Sequence, residues 1–100
     1  MEEVSPEFPG GNTALLQWLN QNIRYPRAAL DANLEGRVFV RFVVEKDGSI
    51  SNAEIARSVD PVFNSEALRL VNSMPKWTPG KQNGQPVRCR FVLPITFKIV

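Results

Sequence analysis

Two stretches of this chain place an apolar residue at every second position, as a β-strand does when one face is buried. In the first, these positions are Val38, Val40, Phe42 and Val44. In the second, every odd-numbered residue from 87 to 99 is apolar, with Cys89 counted as a small core residue. We therefore predict a strand at each place, the second one long and fully apolar on one face.

The segment after the first strand has the pattern of a tight turn and a return strand. Lys46-Asp47-Gly48-Ser49 has the composition of a β-turn, in which the glycine is free to adopt a positive φ. Residues 50–57 follow as a second, more polar strand, so the two form a β-hairpin. Because Ile50 and Ile55 lie at positions of opposite parity, we expect either a bulge near Ser51-Asn52 or an Ile50 that still belongs to the turn.

The first helical pattern precedes both strands. Apolar residues recur at spacings of three and four, which predicts a helix from Thr13 to Asn22 with Asn12 as its N-cap. The stripe that faces the core is expected to consist of Leu15, Leu16, Leu19 and Ile23. Residues 1–11 carry prolines and glycines and are predicted to be an extended N-terminal segment, and residues 12–100 the folded domain.

Two further helices are predicted. Pro26 suits the first turn of a short helix, which Asn33 would end in a left-handed conformation. A third helix follows the hairpin and begins at Asp60-Pro61 or at Asn64. After that helix, Trp77 lies between two prolines, and we expect it to close the lower edge of the core.

These elements predict an α+β fold, because the strands cluster along the chain rather than alternating with helices. The first strand is apolar enough to be central, with its hairpin partner on one side and the C-terminal strand on the other. This gives a two-layer domain with a three-stranded antiparallel sheet of order 2-1-3, a right-handed crossover, and helices packed on one face. Residues 81–85, which contain Asn83-Gly84, are predicted to form a loop.

The composition fits one globular domain and offers little catalytic chemistry. The chain has 100 residues, of which 43% are hydrophobic, and a formal net charge of +2. It has no histidine, which excludes histidine-based triads and removes the commonest ligand of catalytic zinc. Its single cysteine cannot form an internal disulfide, and its scattered acidic residues suit turns and helix starts. We therefore predict no enzymatic activity and no cofactor.

The C-terminal strand carries a proline that indicates which of its edges is paired. Pro94 has no N–H, so we expect its nitrogen to face away from the neighbouring strand. Backbone groups alternate in direction along a strand, and by this parity Arg88, Arg90 and Val92 also present theirs outward. An unpaired strand edge can accept a strand from another chain, so these three residues are the predicted partner-binding edge.

The face of the sheet away from the helices offers an alternative function. Phe39 lies there with Arg37, Arg41, Arg88 and Arg90, and an aromatic residue among arginines can stack a base of single-stranded nucleic acid. A single aromatic residue and a nearly balanced charge are atypical of such modules. We therefore expect no nucleic-acid partner.

The order and spacing of several motifs resemble the C-terminal domain of TonB, the energy-transducing protein of Gram-negative envelopes, from Asn22 to Ile99. The resemblance rests on Tyr25-Pro26-Arg27-Ala28-Ala29, Leu34-Glu35-Gly36-Arg37-Val38, Asp47-Gly48-x-Ile50, Trp77-x-Pro79-Gly80 and Ile95-x-Phe97-x-Ile99. The leading Phe8-Pro9-Gly10-Gly11, with the helix after it, resembles Bacteroidetes-type members.

The resemblance implies a periplasmic domain of an inner-membrane-anchored protein. Such proteins work with an inner-membrane proton-channel complex, here through an N-terminal region expected outside this sequence, and bind the N-terminal TonB-box segment of outer-membrane receptors. In the family, that segment adds as a strand to the last strand and approaches the residues before a Tyr-Pro pair. Carried over, those residues are Asn22, Ile23, Arg24, Tyr25 and Pro26. Better-known members have Gln-Pro at the positions of Asn22 and Ile23.

Two readings of the parent protein and its assembly stay open at this point. Similar domains also occur in membrane sensor proteins, where the domain would serve signalling rather than transport. The unpaired edge could also join two copies of the chain into a homodimer through the C-terminal strand.

Overall fold

Residues 3–99, the part of the chain that the computed structural model describes, form six strands and three α-helices. In chain order, the elements are β1 (Glu3–Val4), α1 (Gly11–Asn22), α2 (Arg27–Asp31), β2 (Gly36–Val44), β3 (Ile50–Ser58), a 3₁₀ turn (Pro61–Phe63), α3 (Asn64–Asn72), β4 (Gly80–Gln82), β5 (Gln85–Val87) and β6 (Cys89–Phe97).

The main sheet has the order β3-β2-β6 and is antiparallel throughout, which confirms the predicted α+β fold and the 2-1-3 order. β2 is central because its side chains are apolar enough to be covered, and α3 packs against it and against β3. The largest fully buried side chains form one core between the sheet and the helices: Phe42, Phe63, Phe97, Leu70, Ile95, Val38, Val40, Val44 and Val71.

The hairpin between β2 and β3 follows the prediction in its turn and in its irregularity. Gly48 has φ 88° and donates its N–H to the Glu45 carbonyl at 2.9 Å. The pairing of β2 with β3 shifts register twice, between Phe39 and Val40 and between Arg41 and Val43. Asn52 lies opposite the second shift with φ 52°, so the predicted bulge near Ser51-Asn52 is confirmed.

A second, small sheet of order β1-β4-β5 was not predicted. The prediction of a loop over residues 81–85 is wrong, because β4 and β5 form a hairpin whose turn is Asn83-Gly84 alone, with φ 54° and 77°. The N-terminal segment supplies β1 as the third strand, a long-range pairing that local pattern does not reveal. The predicted continuous C-terminal strand is also interrupted at Arg88, where the chain passes from the small sheet to the main sheet.

The start of α1 also differs from its prediction. The helix begins at Gly11 rather than Thr13, and Asn12 makes no cap. Gly10 occupies the cap position with φ 87°, a conformation that glycine adopts at little cost, and the Gly11 N–H bonds to the Phe8 carbonyl at 2.8 Å. Along the helix, Leu15 and Leu19 are buried as expected.

Leu16 does not face the core as predicted, because its side chain is 62% exposed. Consecutive helical residues point about 100° apart, so a stripe centred on Leu15 and Leu19 leaves Leu16 on the flank.

Candidate functional site

β6 lies at one edge of the main sheet, and within residues 3–99 it pairs only with β2 in that sheet. The pairing runs from Gly36 opposite Phe97 to Val44 opposite Cys89 without a register shift. β3, at the other edge, carries two bulges, which twist a strand and hinder further pairing. β6 is therefore the regular edge, the kind that accepts an added strand.

Two of the three residues predicted at this edge lie in β6. Arg90 is opposite Val43 and Val92 is opposite Arg41, and the Val92 side chain is 49% exposed. Arg88 lies instead in the break between β5 and β6, and its Nε donates to Glu45 Oε1 at 2.8 Å. Pro94 sits within β6 opposite Phe39, and the regular pairing continues on both sides of it.

The residues predicted to contact a partner before and at the Tyr-Pro pair connect α1 to α2. Tyr25 holds this connection against the Phe97 end of β6, because its ring packs edge-to-face on Phe97 and on Phe63, both with centroids 6.0 Å away. Its hydroxyl donates to the Leu34 carbonyl. The connection and the free edge, which the sequence predicted separately, therefore approach each other at the end of β6.

The environment of the Tyr25 hydroxyl disfavours its ionised form. Loss of solvent around the hydroxyl raises the pKa of Tyr25, and the Glu35 carboxylate raises this pKa further. The hydroxyl therefore remains a hydrogen-bond donor at neutral pH and keeps its bond to the Leu34 carbonyl.

Sequence reasoning missed the ion pair that fixes this connection. Glu66 in α3 is only 9% exposed, and its Oε2 accepts the Arg24 backbone N–H at 2.6 Å. Arg69 contacts both oxygens of Glu66, at 2.6 and 2.7 Å, and its Nη2 also donates to the Asn22 carbonyl at 2.8 Å. The buried Glu66 carboxylate and the partly exposed Arg69 on α3 thus hold two backbone groups of the connection. The only local signal is the three-residue spacing of an acid and an arginine, which is common on exposed helices.

The pair remains charged in the folded protein. Burial raises the pKa of Glu66, but the Arg69 hydrogen bond and the Arg24 N–H favour the carboxylate more, so its pKa lies below the ordinary value. The hydrogen bond to Glu66 in turn raises the pKa of Arg69. Both partners are therefore ionised, and the geometry of the connection is set by charge-assisted hydrogen bonds.

The face of the sheet away from the helices is less cationic than the sequence suggested. Arg41 forms a 2.7 Å ion pair with Glu54, and Arg88 is bound to Glu45. Hydrogen bonds from Ser51 and then Arg88 lower the pKa of Glu45, so this carboxylate stays charged. Two of the four arginines considered beside Phe39 on this face are thus paired with acidic side chains.

No helix within residues 3–99 is long and apolar enough to span a membrane. Over the same range, no three acidic or thiol side chains come together in a group that could hold a metal ion.

Comparison with known proteins gives one family. The sequence model described as Gram-negative bacterial TonB protein C-terminal matches residues 21–99. The solution structure of the Pseudomonas aeruginosa TonB C-terminal domain is 30% identical, with a TM-score of 0.62 over 76% of this chain and 77% of that chain. None of the curated proteins compared matches.

The Helicobacter pylori TonB C-terminal domain shares the fold at 23% identity. Its shorter form has a TM-score of 0.66 and aligns over 86% of this chain and 90% of that chain. The longer form has a TM-score of 0.64 over 92% and 87%. Because the family match spans most of the sequence, this chain belongs to the TonB C-terminal domain family.

Proposed function

We propose that this domain is the periplasmic, energy-transducing part of a membrane-anchored protein and that it binds the N-terminal TonB-box segment of outer-membrane receptors. The observation that supports the binding mode most directly is β6, a regular strand at the edge of the main sheet. The receptor segment adds to this edge as an extended strand, because backbone pairing at a free edge is a general mode of peptide recognition.

Backbone pairing alone does not provide stable binding. About five new hydrogen bonds contribute roughly 1 kcal/mol each, whereas ordering the peptide costs about 1–2 kcal/mol for each residue. The two terms nearly cancel or leave a deficit, so side chains must supply the remaining affinity. Arg90 and Val92 are available along the strand, since Val92 is half exposed. Micromolar or weaker binding is the expected outcome.

The connection between α1 and α2 supplies further contacts at the other end of the edge. Tyr25 packs on Phe97, so a strand that runs along β6 reaches the connection as it passes this residue. Asn22, Ile23, Arg24 and Pro26 then lie beside the partner. The Glu66–Arg69 pair holds the connection in place before binding, which reduces the entropy that binding must overcome.

In the full-length protein, an N-terminal region joins this domain to an inner-membrane proton-channel complex. A receptor segment paired along β6 would then receive force through several parallel hydrogen bonds at once. Such an arrangement transmits proton-motive energy to the receptor for active import.

The test is a titration of the isotopically labelled domain with synthetic N-terminal peptides of outer-membrane receptors from the same genome, followed by backbone amide shifts. We expect the amides of Arg90 to Val92 to shift together with those of Asn22 to Tyr25. A peptide of identical composition in scrambled order is the control. If amides outside β6 shifted saturably while those of β6 did not change, the partner would bind another surface.

A further inference from the structure

The N-terminal segment, residues 3–10, packs beside the Cys89 end of β6 rather than extending away from the domain. Glu7 exchanges two backbone hydrogen bonds with Thr78, at 3.0 and 2.8 Å. Pro6 and Phe8 are buried, and the Phe8 ring contacts Trp77 at a centroid distance of 5.8 Å. The family match begins at residue 21, so this segment lies outside the matched residues.

Val4, Ser5 and Pro6 separate two recesses. The first has a volume of about 490 Å³, with Trp77 and Phe91 among its apolar walls and Glu7, Gly11 and Asn12 also lining it. The second, of about 480 Å³, is bounded by Cys89 and Arg90. Both recesses therefore have one wall from the N-terminal segment and one wall from β6.

Burial along β6 shows where an added strand could insert a side chain on the core side of the sheet. Leu93, Ile95 and Phe97 are 5%, 1% and 1% exposed, so the core beneath them is closed. Phe91 is only partly buried, although it contacts Trp77 at 5.1 Å, and it lines the first recess. A side chain on a neighbouring strand lies about 4.5–5.5 Å from its cross-strand partner. A residue added opposite Phe91 thus meets the first recess.

We propose that the N-terminal segment is part of the peptide-binding site, and that the recess between Pro6, Trp77 and Phe91 takes one large apolar side chain of the strand that adds to β6. This inference rests on the proposed strand addition. Because the recess is confined to one end of β6, filling it fixes the register of a strand that backbone hydrogen bonds alone would leave free to slide. The partner is therefore an extended peptide with an apolar anchor at one position.

A recess-filling variant and a matched control test this. Asn12 is exposed, lies in the first turn of α1 and lines the recess, so Asn12→Trp places an indole there. Gln17 is exposed on the same helix and does not line it, so Gln17→Trp is the control. Burying a large apolar side chain corresponds to roughly 10- to 100-fold in affinity. We expect Asn12→Trp to weaken receptor-peptide binding by at least about tenfold and Gln17→Trp to leave it unchanged.

Alanine replacement along the peptide identifies the anchor. Alanine at one apolar position of the peptide should weaken binding to the wild-type domain. The same replacement should not weaken binding to Asn12→Trp any further, because the two changes remove the same contact. Val4→Lys is a second variant, since Val4 is half exposed and lines both recesses without entering the core. Val4→Lys is expected to weaken the same peptides, and it gives the answer if Asn12→Trp does not fold.

The register is read independently through Cys89, the only cysteine of the chain and a residue of the second recess. With an added thiol oxidant, peptides carrying one cysteine at successive positions should form a disulfide with Cys89 at one position in the wild-type domain and at several positions in Asn12→Trp. If wild-type and both variants bind equally and cross-link at the same position, the recess takes no side chain and the inference is wrong. If no peptide shifts the β6 amides of the wild-type domain, the proposed function itself fails.

Discussion

Gly48 and Gly84 both occupy turns with positive φ, but their surroundings differ. Gly48 has φ 88°, and a Cβ built on it would lie 2.0 Å from the Trp77 carbonyl oxygen. Its own carbonyl accepts the Trp77 N–H at 2.8 Å, so the hairpin turn is fastened to the segment after α3. Gly84 has φ 77° with nothing within 4 Å of a Cβ. The conformation of both residues follows from the sequence, whereas the contact at Gly48 is a product of the fold.

Alanine substitutions at these two glycines should separate strain from contact. Gly84→Ala carries only the cost of a positive φ, about 1–2 kcal/mol. Gly48→Ala carries a similar cost and also displaces the backbone of Trp77, so we expect a loss of more than about 3 kcal/mol in the free energy of unfolding. Urea denaturation of both variants measures the difference. Equal losses in the free energy of unfolding would contradict a stabilising contact between Gly48 and Trp77.

Glu66 stabilises the fold through its contacts with Arg69 and with the Arg24 backbone N–H. Replacing it by glutamine removes the charge that Arg69 faces and weakens the bond to the Arg24 N–H. We expect Glu66→Gln to lose about 2–3 kcal/mol of stability, because Arg69 is left with an incomplete partner. Glu54→Gln breaks an exposed pair with Arg41 and should cost less than about 1 kcal/mol. Thermal and urea unfolding of the two variants measure the difference. If both lost the same free energy of unfolding, the pair of Glu66 with Arg69 would contribute no more than an exposed ion pair.

The same carboxylate predicts a pH dependence of stability. The folded-state pKa of Glu66 is lower than its ordinary value of 4.5, so its contribution is complete above that pH. The contribution is lost as the pH falls from there through the folded-state pKa, because between the two pKa values the unfolded chain binds more protons at this carboxylate than the folded protein does. The free energy of unfolding should therefore decline below pH 4.5 in the wild type and decline less in Glu66→Gln. If the free energy of unfolding fell equally with pH in the wild type and in Glu66→Gln, Glu66 would not be the group responsible.

Among the elements, those defined by local pattern were predicted closely. The β2–β3 hairpin, its bulge at Asn52 and the central place of β2 follow from alternation, turn composition and parity. The prediction failed where an element depends on distant chain. β1 forms a strand only because β4 offers it an edge, and Arg88 breaks the C-terminal strand because β5 belongs to another sheet.

The orientation of the β6 edge can be tested with proline, which lacks an N–H. Pro94 is accommodated in β6 without a register shift, so its nitrogen faces away from β2. Val92 has the same parity, and we expect Val92→Pro to keep the fold while abolishing the peptide-induced amide shifts. Leu93→Pro is the matched control, because its nitrogen faces β2, and it should unfold the domain. If Val92→Pro bound peptides normally, strand addition at this edge would be wrong.

On the scale of the whole molecule, the described part of the chain is elongated, with principal extents of 49, 22 and 19 Å. β6 lies at an edge of the main sheet, so its free edge is also available to a second copy of the chain. Two copies that paired through β6 would bury the surface that we propose receives the receptor segment. Self-association would therefore compete with the proposed receptor binding for one edge.

Self-pairing should be weak. The two β6 strands are already ordered in each copy, so no ordering cost arises. Association still costs about 4–15 kcal/mol of translational and rotational freedom, whereas each new hydrogen bond contributes only roughly 1 kcal/mol. We expect the domain to sediment as a monomer at about 100 μM and to dimerise, if at all, only near millimolar concentration. Analytical ultracentrifugation over this range, with Val92→Pro as the control, measures it. A tight dimer in which the β6 amides are protected would contradict this expectation.

The sequence by itself determined the period of each strand, the glycine and asparagine turns, the bulge of β3 and the parity that directs Pro94 outward, because these depend on neighbouring residues along one strand or turn. The tertiary structure decided that Glu66 is buried beneath the connection at Arg24 and that the N-terminal segment lies beside Phe91. Both features join residues far apart in the chain. Burial of apolar groups holds the N-terminal segment, whereas charge-assisted hydrogen bonds offset the loss of water around the Glu66 carboxylate. In both cases the local sequence is equally compatible with an exposed surface.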